Sequence, residues 1–333
     1  MKKARFKDDV PVISVIVPMY KVANYVQECL DSIADQDFEE TCEIIVVNDC
    51  SPDDSGKICR NWISTHSTTV KYIENERNMG VSSSRNRGLE AAEGEYFMFV
   101  DPDDVLPRHA MSALYQAAES FNVDIVKGNN TIFTRTSETE ARYNVGSSKL
   151  VENDAILTTL YEHDRVRGHP WGKLFRREQL GCFRFPVGVR MAQDLFYCSE
   201  VFANARSLLL LDKNVYRYRK HDSGSTGRKF ESGSYIDWLE AVEATAQFAR
   251  NRSHLRAHKN LLVRTMTQLA REARKLPSDQ AQEVLSDFEQ RCRKWRIQLP
   301  GLILRDKLGL KSLSRYIKMR LAIRQIRSSL KCS

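Results

Sequence analysis

Short apolar runs alternate with helical segments between residue 12 and about residue 126. Four runs have the length and apolar content of buried strands, and three segments between them are expected to be helices, the first because its apolar residues recur at helical spacing. The strands are expected at Val12–Val17, Glu43–Val47, Val70–Ile73 and Tyr96–Val100, and the helices at Asn24–Ile33, in a segment ending at Trp62, and at Ser82–Ala92. Because strands connected by helices run parallel, the alternation predicts an α/β fold with a mixed, mostly parallel sheet flanked by helices.

Polar or conformationally special residues follow every one of these strands. Pro18 and Tyr20 follow the first strand, Asp49 follows the second, and residues 75–80 follow the third. The carboxyl ends of parallel strands share one edge of a sheet, where ligands of such folds bind. We therefore expect these loops to converge on a single binding site.

Three carboxylates follow the fourth strand, in the sequence Asp101-Pro102-Asp103-Asp104. One interpretation is a surface turn in which Pro102 fixes φ and Asp104 precedes the next helix. The other is a metal–diphosphate site, because clustered carboxylates repel one another and Mg²⁺ or Mn²⁺ prefers oxygen ligands from carboxylates, phosphates and water. The polar ends of the other strands favour the second interpretation.

The net positive charge of the chain is concentrated in its C-terminal segment. The chain has 333 residues and a formal net charge of +8, and residues 305–333 contain nine Lys or Arg and one acid, so the first 304 residues are neutral overall. An apolar stripe at helical spacing predicts a basic amphipathic helix on an anionic membrane surface; it comprises Tyr316, Met319, Ile323, Ile326 and Leu330. The alternatives are docking on the protein's own core or in a homodimer, and nucleic-acid binding, which the neutral remainder disfavours.

Cysteine usage and hydropathy bear on the compartment. The eight cysteines form no CxxC pair and lack the spacing of a zinc site, so we expect reduced, mostly buried thiols. No apolar stretch approaches the roughly 20 residues that span a bilayer, and the N-terminal segment lacks the apolar core of a signal peptide. A cytoplasmic location, peripheral on the inner face of the cytoplasmic membrane, is expected.

Five motifs, in order, resemble the family 2 inverting glycosyltransferases with a GT-A fold, of the bacterial surface-polysaccharide and lipopolysaccharide type. The resemblance covers about residues 11–225 and rests on VIVPMY at 15–20, VNDCSPD at 47–53, NMG at 78–80 with SRNRG at 84–88, VDPDD at 100–104, and QD at 193–194. The chain departs from the family's usual Asn, Gly, Ala, Ser and Glu at Lys21, Cys50, Ser84, Pro102 and Gln193.

The resemblance implies a domain plan and an activity. It implies a GT-A domain at residues 1–225, with a donor half at about 11–126 and an acceptor half at about 127–225, a helical extension at 226–304, and the basic tail at 305–333. The implied reaction moves a sugar, with inversion, from a nucleotide-diphosphate sugar to a hydroxyl of a growing glycan or lipid-linked acceptor. A UDP-sugar is the expected donor, and Mn²⁺ or Mg²⁺ would assist the leaving group.

The resemblance also implies roles for individual residues. Asp194 would be the general base, and it opens an apolar helical run where burial tends to raise the pKa of a carboxyl. Donor binding is expected from Pro18, Tyr20, Asp49, Asn78, Arg85, Asp101 and Asp103, metal binding from Asp103, Asp101 and His221, and acceptor binding from Trp171 and Gln193.

Several of these residues have a structural alternative. Asp49 could cap a helix, and Arg85 could form a buried ion pair that joins two loops. Trp171 could belong to the core, and His221 could be a solvated loop residue. Gln193 supplies no charge where the family has Glu, so the alternative function is a catalytically silent subunit that binds nucleotide sugar or acts as a scaffold in a glycan assembly complex.

Overall fold

The computed structural model describes residues 10–141, 144–162, 166, 168–221, 232–273 and 276–295. The strands are β1 Ile13–Met19, β2 Cys42–Asn48, β3 Val70–Glu74, β4 Tyr96–Phe99, β5 Ile125–Phe133, β6 Glu138–Glu140, β7 Lys149–Glu152, β8 Lys173–Arg176 and β9 Ser207–Arg219. The helices are α1 Val26–Ala34, α2 Ser55–Thr65, α3 Val81–Ala91, α4 Ala110–Phe121, α5 Ala155–Glu162, α6 Arg177–Leu180, α7 Gln193–Asn204, α8 Ser232–Ala244, α9 Arg252–Ala273 and α10 Ser278–Lys294, with a 3₁₀ helix at Thr245–Phe248.

The strands of the described residues form one mixed sheet in the order β3-β2-β1-β4-β8-β5-β9-β7, with β6 paired to β5. Parallel pairing joins β3, β2, β1 and β4, and β9 is parallel to β5. β8 is antiparallel to both β4 and β5, so it connects two groups of strands that run in the same direction. The predicted mixed, mostly parallel sheet flanked by helices is confirmed.

Two apolar layers cover the faces of this sheet. Successive side chains of a strand point to opposite faces, so Val15 packs with α1, α2 and α4, whereas Ile16 packs with α3, α5 and α7. A Cβ added to Gly88 of α3 would lie 2.3 Å from Ile16 Cγ2. The motif glycine therefore allows α3 to approach β1 closely, which positions the amino end of α3 at the carboxyl edge of the sheet.

Strand β1 extends beyond its expected end. β1 continues through Pro18 to Met19, although the sequence predicts its end at Val17. Its pairing with β4 stops at Ile16 and Phe99, so Pro18 interrupts no pair between these strands. The segment 131–140 is a hairpin in which β5 pairs with β6.

Helices α8, α9 and α10 form the predicted helical C-terminal region around a separate apolar cluster that includes Leu239, Met266 and Phe288. In the part of the chain that the structure describes, no helix is both long enough and apolar enough to cross a membrane. The predicted basic helix at 305–333 lies outside the described residues, so membrane contact and homodimer formation stay predictions.

One buried histidine should make the folded protein less stable in mild acid. His258 of α9 is fully buried; its Nε2 lies 2.8 Å from the carbonyl oxygen of Val242, and its Nδ1 has no hydrogen-bond partner among the described residues. Burial lowers the pKa of His258 below its ordinary value of 6.5. Because the unfolded chain takes up a proton that the folded chain excludes, the free energy of unfolding should decrease below pH 6.5, by up to about 1.4 kcal/mol per pH unit.

Urea unfolding measured above and below this pH tests the expectation. His258→Leu should remove this part of the pH dependence, whereas His109→Gln, at an exposed histidine, should keep it. Equal pH dependence in wild type and His258→Leu would contradict the assignment.

Candidate active site

The Asp-Pro-Asp-Asp turn lies at the carboxyl edge of the sheet, directly after β4. The N–H of Val100 still donates to the carbonyl oxygen of Ile16 at 3.0 Å. The side chains of Asp101 and Asp103 are 24% and 27% exposed, whereas Asp104 is buried. Two of the carboxylates therefore border accessible space, and the third points into the protein.

Arg85 connects this turn to α7. Its side chain is buried in α3; Nη2 donates to Asp101 Oδ1 at 3.0 Å and Nη1 donates to Asp194 Oδ1 at 2.5 Å. Burial opposes its charge, but Asp194 and Asp101 raise the pKa of Arg85 above its ordinary value. The ion pair considered from the sequence is present, and it unites the predicted base with a predicted donor-side carboxylate.

The electrostatics of the turn favour a bound cation. Desolvation raises the pKa of Asp101 to about 6; Arg85 opposes this rise, and the negative charges of Asp103 and Asp194 add to it. A divalent cation beside the turn would stabilise the ionised carboxylates. Cation binding and ionisation of this turn should therefore support each other.

Asp103 and His221 are in contact, although they are far apart in the sequence. Their Oδ2 and Nε2 atoms lie 2.9 Å apart, and the His221 side chain is only 15% exposed, with the Tyr25 ring at 4.5 Å. Within the described residues, no set of three or more His, Cys, Asp or Glu side chains is arranged to hold a metal by itself. One carboxylate and one imidazole fit a divalent ion that completes its ligand shell with diphosphate oxygens and water.

Asp104 faces strand β9. Its Oδ2 accepts a hydrogen bond from the Tyr216 hydroxyl at 2.7 Å, and its Oδ1 accepts one from the N–H of Arg219 at 2.7 Å. Burial raises the pKa of Asp104 well above its ordinary value, and the charges of Asp103 and Asp101 contribute. Asp104 is thus an internal contact of the turn.

Asp49 accepts hydrogen bonds from the loop that precedes α3. Its Oδ1 accepts from Asn75 Nδ2 at 2.6 Å and from the N–H of Met79 at 2.8 Å, and its Oδ2 accepts from the N–H of Gly80 at 2.8 Å. Gly80 has a φ of 85°, a left-handed conformation that favours glycine. Asp49 therefore fixes the loop before α3 and does not cap a helix, so the structural alternative considered from the sequence is wrong. Contact of Asp49 with a nucleotide base stays a prediction.

The other predicted donor residues lie at the same edge. Tyr20 and Asn78 are exposed, whereas Pro18 is buried in β1. Lys21 and Cys50 have φ values of 55° and 54°, a conformation that Asn and Gly adopt most readily. The backbone thus explains the family's usual residues at these two positions, and the donor contacts of Pro18, Tyr20 and Asn78 stay predictions.

Trp171 belongs to an aromatic stack next to the turn. Its ring centre lies 4.5 Å from that of Tyr216, 4.8 Å from that of His169 and 5.7 Å from that of Tyr218, with nearly parallel planes. The Tyr216 hydroxyl in turn accepts a hydrogen bond from the N–H of Asp101 at 3.0 Å. Trp171 therefore has the packing role considered from the sequence, and its contact with an acceptor stays a prediction.

Gln193 and Asp194 lie in the first turn of α7. The expected burial of Asp194 is wrong, because this first turn lies at the rim of the site and leaves 25% of the side chain exposed. Oδ1 of Asp194 is bonded to Arg85, and Oδ2 makes no hydrogen bond with any residue that the structure describes. One carboxylate oxygen is thus held and the other is available.

Sequence reasoning missed three residues that shape the site: Tyr216, Arg219 and Phe185. The Phe185 ring centre lies 5.1 Å from the guanidinium carbon of Arg85. Asn86 fixes Phe185, donating to its carbonyl oxygen at 2.9 Å and accepting from its N–H at 2.7 Å. Asn86 of the SRNRG motif was the sequence feature that could have indicated a partner such as Phe185. Tyr216 and Arg219 lie in β9, which carries no motif that predicts its position beside the turn.

A sheet of this topology, with an Asp-rich turn, a buried arginine and a helix-borne aspartate gathered at its carboxyl edge, defines a class: glycosyltransferases of the GT-A fold. Residues 14–180 match the model of the family described as Glycosyl transferase family 2, and the chain belongs to this family. GlyA of Streptococcus pneumoniae is 35% identical over 237 residues, which are 69% of this chain and 33% of GlyA. GlyG of the same organism is 30% identical over 241 residues, covering 69% of this chain and 77% of GlyG.

Solved structures share the fold. TarS of Staphylococcus aureus in complex with UDP-GlcNAc has a TM-score of 0.65 at 20% identity, covering 94% of this chain and 91% of that chain. The mannosyltransferase PcManGT of Pyrobaculum calidifontis, in complex with GDP-Man and Mn²⁺, has a TM-score of 0.55 at 16% identity, covering 94% and 86%. The chain spans only a third of the length of GlyA.

Proposed function

We propose that this chain transfers a sugar from a UDP-sugar to a hydroxyl of a growing glycan or lipid-linked acceptor, with inversion and with Asp194 as general base. The Arg85 bridge carries the proposal, because one guanidinium contacts both Asp101 and Asp194. An inverting displacement needs a base on the face of the sugar opposite the leaving group. The bridge fixes the predicted base, Asp194, relative to the donor-side carboxylate, Asp101.

Asp194 and Arg85 have separate roles in the proposed reaction. Arg85 holds Oδ1 of Asp194, so Oδ2 accepts the proton of the acceptor hydroxyl. The hydroxyl oxygen bonds to the anomeric carbon as the bond from that carbon to the diphosphate oxygen breaks, and the configuration inverts. Arg85 also offers positive charge to the diphosphate side of the site.

Asp103 and His221 would hold Mn²⁺ or Mg²⁺, with Asp101 beside them. When bound, the ion supplies positive charge that stabilises the departing nucleoside diphosphate. The PcManGT structure, a complex with GDP-Man and Mn²⁺, supports the use of a divalent ion.

Relatives support the substrate classes. The UDP-GlcNAc complex of TarS supports a UDP-sugar as the donor. We assign donor contacts to Pro18, Tyr20, Asp49 and Asn78. TarS is named a poly(ribitol-phosphate) beta-N-acetylglucosaminyltransferase, which supports a glycan polymer as the acceptor. We assign acceptor contacts to Trp171 and Gln193. We assign the transferase domain to residues 1–225, the helical extension to 226–304 and the basic tail to 305–333.

A donor screen tests the proposal. The purified chain is incubated with UDP- and GDP-sugars, with and without polyol-phosphate and oligosaccharide acceptors, in Mn²⁺, Mg²⁺ or EDTA. We expect UDP release from one UDP-sugar with Mn²⁺ or Mg²⁺ and none with EDTA. Without the ion, the leaving diphosphate lacks the positive charge that would stabilise it. Nucleoside diphosphate release and thermal shift are measured together.

Three outcomes separate the possible functions. Metal-dependent release with one donor establishes the transferase and its sugar. A thermal shift with a nucleotide but no release with any acceptor supports the silent subunit suggested by Gln193. No thermal shift with any nucleotide contradicts both.

A further inference from the structure

We propose that Asp104, together with Tyr216, is a positioning residue that locks strand β9 onto the Asp-Pro-Asp-Asp turn and thereby presents His221 to Asp103. The inference rests on the proposed function, because it assigns the source of the geometry at the cation site. Asp104 is 1% exposed, and both of its carboxylate oxygens accept hydrogen bonds from β9. It therefore has no oxygen directed towards a donor or a metal.

The contacts between the turn and β9 form a continuous set, which we call the β9 clamp: Asp101, Asp103, Asp104, Val105, Tyr216, Arg217 and Arg219. The Tyr216 hydroxyl donates to Asp104 and accepts from the N–H of Asp101 at 3.0 Å, so one oxygen atom connects both ends of the turn. The N–H groups of Val105 and Arg217 each donate to the other residue's carbonyl oxygen, at 3.1 and 2.9 Å. The backbone of the turn is thus fixed on two sides.

Arg219 closes the clamp next to the cation site. Its N–H donates to Asp104, and its Nε donates to the carbonyl oxygen of Asp103 at 2.7 Å. Its Nη2 donates to Glu28 Oε2 of α1 at 2.6 Å, which anchors the end of β9. His221 follows two residues later and reaches Asp103 at 2.9 Å.

The clamp explains how two protein ligands from distant parts of the chain reach one point. Groups that orient metal ligands typically change metal affinity by about 10- to 100-fold when they are removed. Loss of the Tyr216 hydroxyl or of the Asp104 carboxylate should therefore weaken cation binding. It should leave nucleotide binding without metal unchanged, because neither group contacts Asp49 or Arg85.

Tyr216→Phe is the sharpest test, because it removes only the bridging hydroxyl and keeps the ring that stacks on Trp171. The affinity of the full chain for Mn²⁺ is measured by electron paramagnetic resonance at saturating UDP, and UDP affinity is measured by calorimetry in EDTA. We expect about tenfold weaker Mn²⁺ binding and unchanged UDP binding in EDTA. Asp104→Asn, which sets an amide NH₂ against the N–H and O–H donors of β9, should give the same result.

Tyr161→Phe is the matched control. Tyr161 is also fully buried, and its hydroxyl donates to the carbonyl oxygen of Thr245 at 2.9 Å, away from the turn. This variant should lose comparable stability while keeping wild-type affinity for Mn²⁺. Equal weakening of Mn²⁺ binding in Tyr161→Phe and Tyr216→Phe would overturn the inference, because it would show a general effect of lost stability.

A double-variant cycle with His221→Ala separates positioning from direct binding. If the clamp acts through His221, Tyr216→Phe should weaken Mn²⁺ binding no further in the His221→Ala background. Independent, multiplicative losses overturn the inference, as does wild-type Mn²⁺ affinity in Tyr216→Phe. A wild-type chain that binds no Mn²⁺ with UDP overturns both the proposed metal role and this inference. The other contradicting results overturn the inference alone, so the two failures are distinguishable.

Discussion

Replacement of Asp194 by Asn should lower kcat for sugar transfer by about 10³-fold, within the range that a positioned general base contributes. The amide keeps the size of the side chain and an oxygen that Arg85 Nη1 can contact, but it cannot accept the hydroxyl proton. The affinity for the UDP-sugar should remain within about twofold, because an interaction made only in the transition state affects kcat rather than ground-state binding. Steady-state kinetics and calorimetry on the same preparation measure both quantities.

Asp35→Asn provides the control for Asp194→Asn. Asp35 is exposed at the end of α1, so the same chemical change there should leave kcat unchanged. A near wild-type kcat in Asp194→Asn would remove this residue from the chemistry, while weakened donor binding with a preserved kcat would reassign it to the donor side.

Replacement of Arg85 by Met should both destabilise the fold and abolish transfer. Breaking a buried ion pair leaves uncompensated charge and costs about 3–5 kcal/mol. Asp101 and Asp194 are each about a quarter exposed, so water offsets part of the penalty and we expect about 3 kcal/mol. Urea unfolding at neutral pH measures the stability, and UDP release measures transfer under conditions where the variant remains folded.

Two further variants test the cause. Arg85→Lys retains the charge, but an ammonium lacks the planar fork that reaches two carboxylates at once, so more stability than activity should return. Asp194→Asn in the Arg85→Met background should recover stability, because it removes one of the unpaired carboxylates. Wild-type stability in Arg85→Met would show that the bridge is not a structural element.

Local patterns were sufficient for the donor half of the sheet. The sequence predicted β1 to β4, α1 and α3 within two residues, whereas α2 ends at Thr65, three residues beyond its predicted end at Trp62. Period-2 and period-3.6 patterns are set by which side chains face the core, so they are visible in the sequence of each element alone. The convergence of strand ends on one edge followed from parallel connectivity.

The sequence did not predict which side chains of the site are buried or which of them form ion pairs. The carboxylates of the turn have different environments, since Asp104 is internal while Asp101 and Asp103 border accessible space. Asp194 was expected to be buried and instead lies at the rim, because a helix-spacing pattern does not specify how deep the first turn of the helix lies. The sequence offered both interpretations of Arg85, and only the positions of Asp101 and Asp194 showed that the ion pair forms.

The sequence by itself determined the family, the α/β class and the identity of the carboxylates at the strand ends, because each depends on contiguous residues. Only the tertiary structure placed β9 between β5 and β7 and thereby brought Tyr216, Arg219 and His221 to the turn. These contacts join residues more than 110 positions apart. They depend on the order of strands in the sheet, which is decided by how the two faces of the whole sheet bury their apolar side chains, and no local periodicity encodes that order.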